Sequence, residues 1–338
     1  MSEFLSREPS LEEYWRGIIL LGRNVASYKF ALAKTLLEIK PESGQLLKLS
    51  DIAPIFARHI VEHIRHSPKQ TTSTRSTFLK SCDAFSKNEI DHKSLLESTV
   101  RLGFNNVIDA FHVVGTGEIK KKFYFDERSS NDGIRITDEF SMLLSNKQAS
   151  NLIPETEARW RLVETAWELN ISRNLIAIDY DSSTNELFTF DNNKRRKSVT
   201  SSRHALSGYQ KGKCFYCDTD IFIQGDLNAD VDHFFPHKLK YVTEIGNIVD
   251  GIWNLVLSCK DCNRGVNGKF DKLPSLNLLI KLSSRNEYLI KSHHPLRETL
   301  INQTGKHESE RTSFLNSIYQ KTIGLIFHTW EPRSNSQF

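Results

Sequence analysis

The chain has 338 residues, 38% of them hydrophobic, and a mean hydropathy of -0.43, which gives enough apolar mass for one or two buried cores and excludes membrane-spanning and disordered classes. Its 45 Lys and Arg against 41 Asp and Glu leave a net charge of +4, so a polybasic or histone-like protein is excluded and any anionic partner must be held by a local basic surface. Five cysteines are too few and too clustered for a disulfide framework.

The first residues, MSEFLSREPS, carry charge where a signal peptide needs an apolar run, and the apolar stretch from Ile18 to Leu21 is far too short to span a bilayer. A cytoplasmic protein without membrane contact is expected. Ser10-Leu11-Glu12-Glu13 is a capping-box pattern that opens an amphipathic run to about Ile39, with Trp15, Ile18, Leu21 and Val25 at helical spacing, so one long helix is expected. Ser50-Asp51 caps a second helix to about His66, and apolar periodicity predicts further helices over Lys93–Ala110, Thr137–Asn146 and Glu155–Leu169. Between Leu175 and Phe190 the period changes to two around Ser182-Ser183-Thr184-Asn185, which reads as a β-hairpin. Residues 191–202, DNNKRRKSVTSS, have almost no apolar side chain and contain the basic run Lys194–Lys197. They read as a linker, either solvated or touching phosphate. A short helix over Arg203–Lys211 then leads into the first cysteine pair. No internal repeat and no glycine-rich phosphate loop occurs, which removes nucleotide-driven motors and Rossmann enzymes.

The chemistry is concentrated in the last 140 residues. Cys214-Phe-Tyr-Cys217 is followed, after 41 residues, by Cys259-Lys-Asp-Cys262, two C-x-x-C knuckles that offer four thiolates to one tetrahedral Zn2+. With all four positions filled by protein, such an ion is structural. Between and after the knuckles come Asp230-Val-Asp232-His233-Phe-Phe-Pro236-His237, then Trp253-Asn254-Leu255, then Asn263-Arg264-Gly265. Strand alternation would point Asp232 and His233 to opposite sides, unless a twist or bulge turns both toward one site. Phosphodiester hydrolysis needs a deprotonated water and a cation that absorbs developing charge, and a histidine beside a carboxylate can supply both.

This order of elements, C-x-x-C, D-H-x-x-P, N-L and C-x-x-C-N over roughly Arg203 to Pro274, resembles the HNH endonucleases, specifically the ββα-metal (His-Me finger) members with a four-cysteine zinc. The resemblance implies that His233 is the general base, that Asp232 and Asn263 hold a catalytic Mg2+ or Mn2+, and that Asn254 orients the imidazole and ties two strands together. It implies an H-N-N form of the motif, in which one carboxylate and one amide leave most of the cation's coordination to water and phosphate. His237 is an alternative ligand, a phosphate contact or a plain surface histidine. Arg264, Lys269, Lys238 and Lys240 are candidate phosphate contacts or solvated cations. Phe215, Tyr216, Phe234, Phe235 and Trp253 read as a small core rather than as a base-stacking surface. Asp91-His92 reads as a helix cap, Cys82 as a buried structural thiol, and His293-His294 as a loop.

The expected fold class is therefore α+β: a mostly helical domain with a β-hairpin over 1–190, the basic linker 191–202, a nuclease finger over 203–275 and helices over 276–338. The expected function is hydrolysis of double-stranded DNA, and analogy with the family suggests restriction or anti-phage defence, with a homodimer or a partner protein as options. The competing expectations are a zinc finger that binds nucleic acid or a partner without catalysis, and an RNA endonuclease.

Overall fold

The Glu13 amide donates to the Ser10 hydroxyl (3.3 Å) and the Ser10 amide donates to the Glu13 carboxylate (2.8 Å), which is the reciprocal cap read from the sequence. It starts helix α1, Leu11–Leu21. The computed structural model describes residues 9–22, 25–72, 76–115, 117–169, 178–190, 195–224, 227–242, 245–291 and 296–332. The chain divides into two compact units, Glu8–Ile171 and Ser172–Phe338, and mixes helices with small sheets, so the α+β class holds.

In the first unit α1 stops at Gly22, where the backbone becomes extended, and α2 spans Tyr28–Ile39, so the single helix expected to Ile39 is two. A Cβ at Gly22 would lie 2.4 Å from the Ile18 carbonyl oxygen, so only glycine fits this break. The remaining helices are α3 (Leu49–His66), α4 (Thr77–Ser86), α5 (His92–Ser98), α6 (Val107–Ala110), α7 (Arg128–Asn131), α8 (Asp138–Ser145) and α9 (Ala149–Glu168). Asp91 caps α5 by accepting from the Ser94 amide at 2.8 Å, as its position predicts. The helix expected over Lys93–Ala110 is interrupted by a π turn at Thr99–Gly103, and Gly103 packs where an added Cβ would meet Phe56 and Phe78 at 3.2–3.3 Å. Strands β1 (Leu46–Lys48), β4 (Tyr124–Glu127) and β5 (Gly133–Ile136) form an antiparallel sheet in the order β1-β5-β4, and β2 (Val113–Val114) pairs with β3 (Gly117–Glu118). The core between the helices is aromatic, with Trp15, Phe30, Phe56, Phe111, Phe140 and Trp160 all buried, and Cys82 is a buried thiol within it.

The second unit opens with an antiparallel sheet of β6 (Asp179–Asp181), β7 (Glu186–Phe190) and β8 (Arg196–Ser201) in sequence order. The expected hairpin is present, but it belongs to this unit, and the boundary falls at 171/172 rather than within 191–202. Residues 196–201 of the expected linker are a paired strand. Its sequence looked like a linker because β8 buries only Val199, while Leu187 and Tyr180 supply the inward residues of the neighbouring strands. Residues 175–177 of the expected hairpin, Lys194, and His293-His294 lie outside the described residues. Helix α10 (Ser202–Tyr209) follows, then β9 (Ala229–His233), β10 (Leu255–Cys259), α11 (Lys260–Arg264), β11 (Leu273–Pro274), α12 (Leu276–Lys291), α13 (Arg297–Thr304), α14 (Glu308–Ile323) and β12 (Thr329–Trp330). Strands β11 and β12 pair in parallel. Among the described residues no helix is long and apolar enough to cross a membrane.

Candidate functional site

Strands β9 and β10 are antiparallel, with His233 opposite Leu255 and Ala229 opposite Cys259, and α11 begins directly at the end of β10. Cys259 is the N-cap of α11, and its sulfur accepts from the Cys262 amide at 3.4 Å. That turn brings the second knuckle back on the first: the sulfurs of Cys214, Cys217, Cys259 and Cys262 all lie within 4.8 Å of one another. The four cysteines can therefore hold one zinc ion. Hydrogen bonds among the four thiols pull Cys217 and Cys259 down and push Cys214 and Cys262 up, so the cluster shares its protons unevenly and a bound cation would be needed to make all four thiolates.

The expected small aromatic core is present, as a chain of ring contacts that starts within the first knuckle at Phe215 and Tyr216 and runs through Phe234 and Phe235 to Trp253. Phe215, Tyr216, Phe234, Phe235 and Trp253 are all buried, and Phe215 meets Phe234 edge to face at 6.0 Å. Helix α12 braces the start of β10 through buried Arg285, which donates to the carbonyls of Leu255 and Trp253, while Asn286 donates to Trp253 at 3.1 Å.

Strand alternation decides where the motif residues go. Asp230 and Asp232 share one face of β9 and His233 takes the other, so no bulge or twist gathers all three. Asp232 is buried, and its carboxylate accepts from the Tyr216 hydroxyl (2.6 Å) and from the Lys269 ammonium (3.1 Å). Burial pushes its pKa up, with Lys269 and Tyr216 opposing the shift. Asn263 instead donates to Asp230 at 3.2 Å, and Arg264 holds the same carboxylate at 2.9 Å. The expected pairing of Asp232 with Asn263 is thus replaced by two separate contacts, Asp232 with Lys269 and Asp230 with Asn263. Lys269, expected to contact phosphate, is completely buried and cannot do so, because its ammonium neutralises Asp232 beneath the surface. Arg264 and Lys238 remain exposed; Lys240 is partly buried.

His233 sits at the end of β9 with its side chain 12% exposed and its ring edge-to-face with Tyr180 at 5.8 Å. Burial, and then the charge of His237, lower its pKa to about 4, so the imidazole is neutral at pH 7. Its Nε2 lies 3.3 Å from Oδ1 of Asp250, and Nε2 of His237 lies 3.3 Å from the same oxygen. The other oxygen of Asp250 accepts from Lys240 at 2.6 Å. His237 comes from the 3-10 turn His237–Tyr241 that begins after Pro236, and Asp250 from the turn Gly246–Asp250.

Asn254 holds these pieces together. It is fully buried: its amide oxygen accepts from the Phe235 amide (2.8 Å), and its NH2 donates to the carbonyls of Phe235 (3.0 Å) and Val249 (2.8 Å). It therefore clamps the segment carrying His233 and His237 to the segment carrying Asp250. Asp250 itself was not singled out by sequence. It lies four residues before Asn254, and an acidic residue beside Gly251 reads as ordinary turn chemistry. No family model, curated protein or solved structure matches this chain.

Proposed function

We propose that the chain is a metal-dependent endonuclease that hydrolyses phosphodiester bonds of DNA, with the chemistry in the second unit and His233 as the residue through which water is activated. The observation that carries this reading is the state of His233: a strand-end imidazole kept neutral, nearly enclosed, and fixed through Asn254 on a strand-strand-helix arrangement that ends in the thiol cluster. A neutral imidazole is the form that accepts a proton from water or binds a cation, and a charged one does neither. The order of knuckles, Asp232-His233, Asn254-Leu255 and Asn263 supports the same reading from the sequence. The four-cysteine site would hold Zn2+ as a brace, since it leaves no open position for a reacting group. Exposed Arg264 and Lys238 are the cations available to phosphate.

A hard cation on Asp232 and Asn263 does not fit the residues as they stand. The Lys269 ammonium already occupies the Asp232 carboxylate, and a divalent ion there would have to displace a buried positive charge. No step is derived through that pair. The same ion pair favours, as a second reading, a zinc-braced binding module without catalysis. Supercoiled plasmid incubated with the protein and Mg2+, Mn2+ or Zn2+ tests the two: conversion to nicked or linear DNA supports the enzyme, and binding without conversion in every metal supports the module. Matched DNA and RNA strands then assign the substrate, because the 2′-hydroxyl is the main group that differs.

A further inference from the structure

We propose that His233, His237 and Asp250 form a three-ligand site for a borderline transition-metal dication of the Zn2+ class, distinct from the four-cysteine site. Three observations converge on it. First, the donor set is two imidazoles and one carboxylate, the ligand number and type with which proteins hold a catalytic zinc while leaving a fourth position for water. Second, the spacing fits an ion: metal–ligand bonds of about 2.0–2.1 Å in tetrahedral geometry separate the ligand atoms by about 3.3–3.4 Å. Both imidazole nitrogens stand 3.3 Å from Oδ1 of Asp250, and the three atoms lie within 4.8 Å of one another.

Third, these atoms are orphans. Nε2 of His233, Nε2 of His237 and Oδ1 of Asp250 are each buried, and although both nitrogens stand 3.3 Å from that oxygen, none of the three makes a well-aligned hydrogen bond to it or to any other group. Buried polar atoms are almost always satisfied, so three that converge on one point indicate a missing common partner. The surrounding residues hold the carboxylate in place: Lys240 takes its other oxygen at 2.6 Å, leaving Oδ1 turned to the two rings. Imidazole nitrogen also selects against Mg2+, which prefers an all-oxygen shell.

The inference rests on the nuclease reading only for what the ion does. There, water on the open position gives a proton to solvent, and its oxygen attacks phosphorus. The bond to the leaving oxygen then breaks, and that oxygen takes a proton from solvent, a net addition of one water. His233 would act as a ligand in this scheme and not as a free base.

The test is a metal count on the full chain, stripped, reloaded with Zn2+ and dialysed, for wild type, His237→Ala and Asp250→Asn. The expected result is two zinc ions per wild-type chain and one per variant chain, with circular dichroism unchanged. Co2+ loading gives a second readout: the four-thiolate site produces strong sulfur-to-cobalt charge-transfer bands, and the second equivalent adds only weak d–d bands that both variants lose. One zinc per chain in the wild type, or two in both variants, overturns the site. Two zincs falling to one without any cleavage by the wild type keeps the site and removes the nuclease. Cleavage by a one-zinc wild type, undisturbed by His237→Ala, does the reverse.

Discussion

Replacing Lys269 with Met tests the site's charge arrangement in a way that can be worked out in advance. The ammonium and Oδ1 of Asp232 are 3.1 Å apart, with side-chain exposures of 1% and 10%, so this is a buried pair. Removing one partner of such a pair costs about 3–5 kcal/mol, because the remaining charge is left uncompensated. Asp232 can escape part of that by taking up a proton, which from an ordinary pKa near 3.9 costs about 4 kcal/mol at pH 7 and about 1.5 kcal/mol at pH 5. In the variant the folded-state pKa of Asp232 is raised still further, so the loss of stability grows as pH rises above its unfolded value and shrinks toward pH 5. With a urea slope of about 2 kcal/mol per molar, Lys269→Met should lower the unfolding midpoint by about 1.5–2 M at pH 7 and by less than half of that at pH 5. Tryptophan fluorescence follows the transition, since Trp253 and Trp330 lie in this unit. Adding Asp232→Asn to Lys269→Met should recover most of the loss. A shift below about 0.5 M at pH 7, or an equal shift at both pH values, would refute the buried pair and reopen Asp232 as a cation ligand.

The contacts of Asn254, the thiol cluster and His112 lead to three further outcomes. Asn254→Ala removes the acceptor of the Phe235 amide and the donor to Val249, and should cost about 3 kcal/mol in urea unfolding. In the same variant the second, weakly absorbing Co2+ equivalent should be lost together with the clamp. Chelation of the four-cysteine ion should abolish the higher-order structure of β9, β10 and α11, seen as loss of near-ultraviolet circular dichroism from Trp253 and its neighbours, and Zn2+ should restore it. In the first unit, buried His112 must stay neutral to accept from the Phe123 amide at 3.0 Å, and burial, helped by Lys122 and Lys29, lowers its pKa to about 3. The unfolded chain therefore binds a proton first, and stability present above pH 6.5 declines as pH falls toward 3 by up to about 4–5 kcal/mol. Unfolding midpoints measured between pH 7 and pH 4 should slope accordingly, and His112→Gln should flatten the slope.

Local signals survived in the fold wherever one residue type had a single physical use. The Ser10/Glu13 box, the Asp91 cap and the aromatic core that starts at the first knuckle are legible because each satisfies its neighbours within a few residues or has no other apolar mass to join. The helix breaks after Gly22 and at Thr99–Gly103 were hidden because apolar periodicity continues across them, while the backbone departs for tertiary reasons at Gly22 and Gly103. Strand β8 was hidden by its composition, since a strand that buries one valine looks like a polar linker. Within the site, Cys214, Cys217, Cys259 and Cys262 were readable from spacing alone. Lys269 was misplaced because lysine is almost never fully buried unless paired, and its partner Asp232 lies 37 residues away in sequence. Asp250 was missed because its contact with His233 and His237 depends on how the 3-10 turn Gly246–Asp250 folds back, which no short-range pattern encodes.

The central claim is that His233 is the residue through which this chain cleaves nucleic acid. The most direct measurement is cleavage of supercoiled plasmid by wild type and His233→Ala side by side, in Zn2+, Mn2+, Mg2+ and excess EDTA, with the thiol-bound zinc of both proteins verified beforehand by its metal count. The account predicts nicking or linearisation by the wild type that EDTA abolishes, and a loss of at least about 100-fold in His233→Ala while the thiol-bound zinc stays at one per chain. Equal cleavage by the two proteins would contradict it.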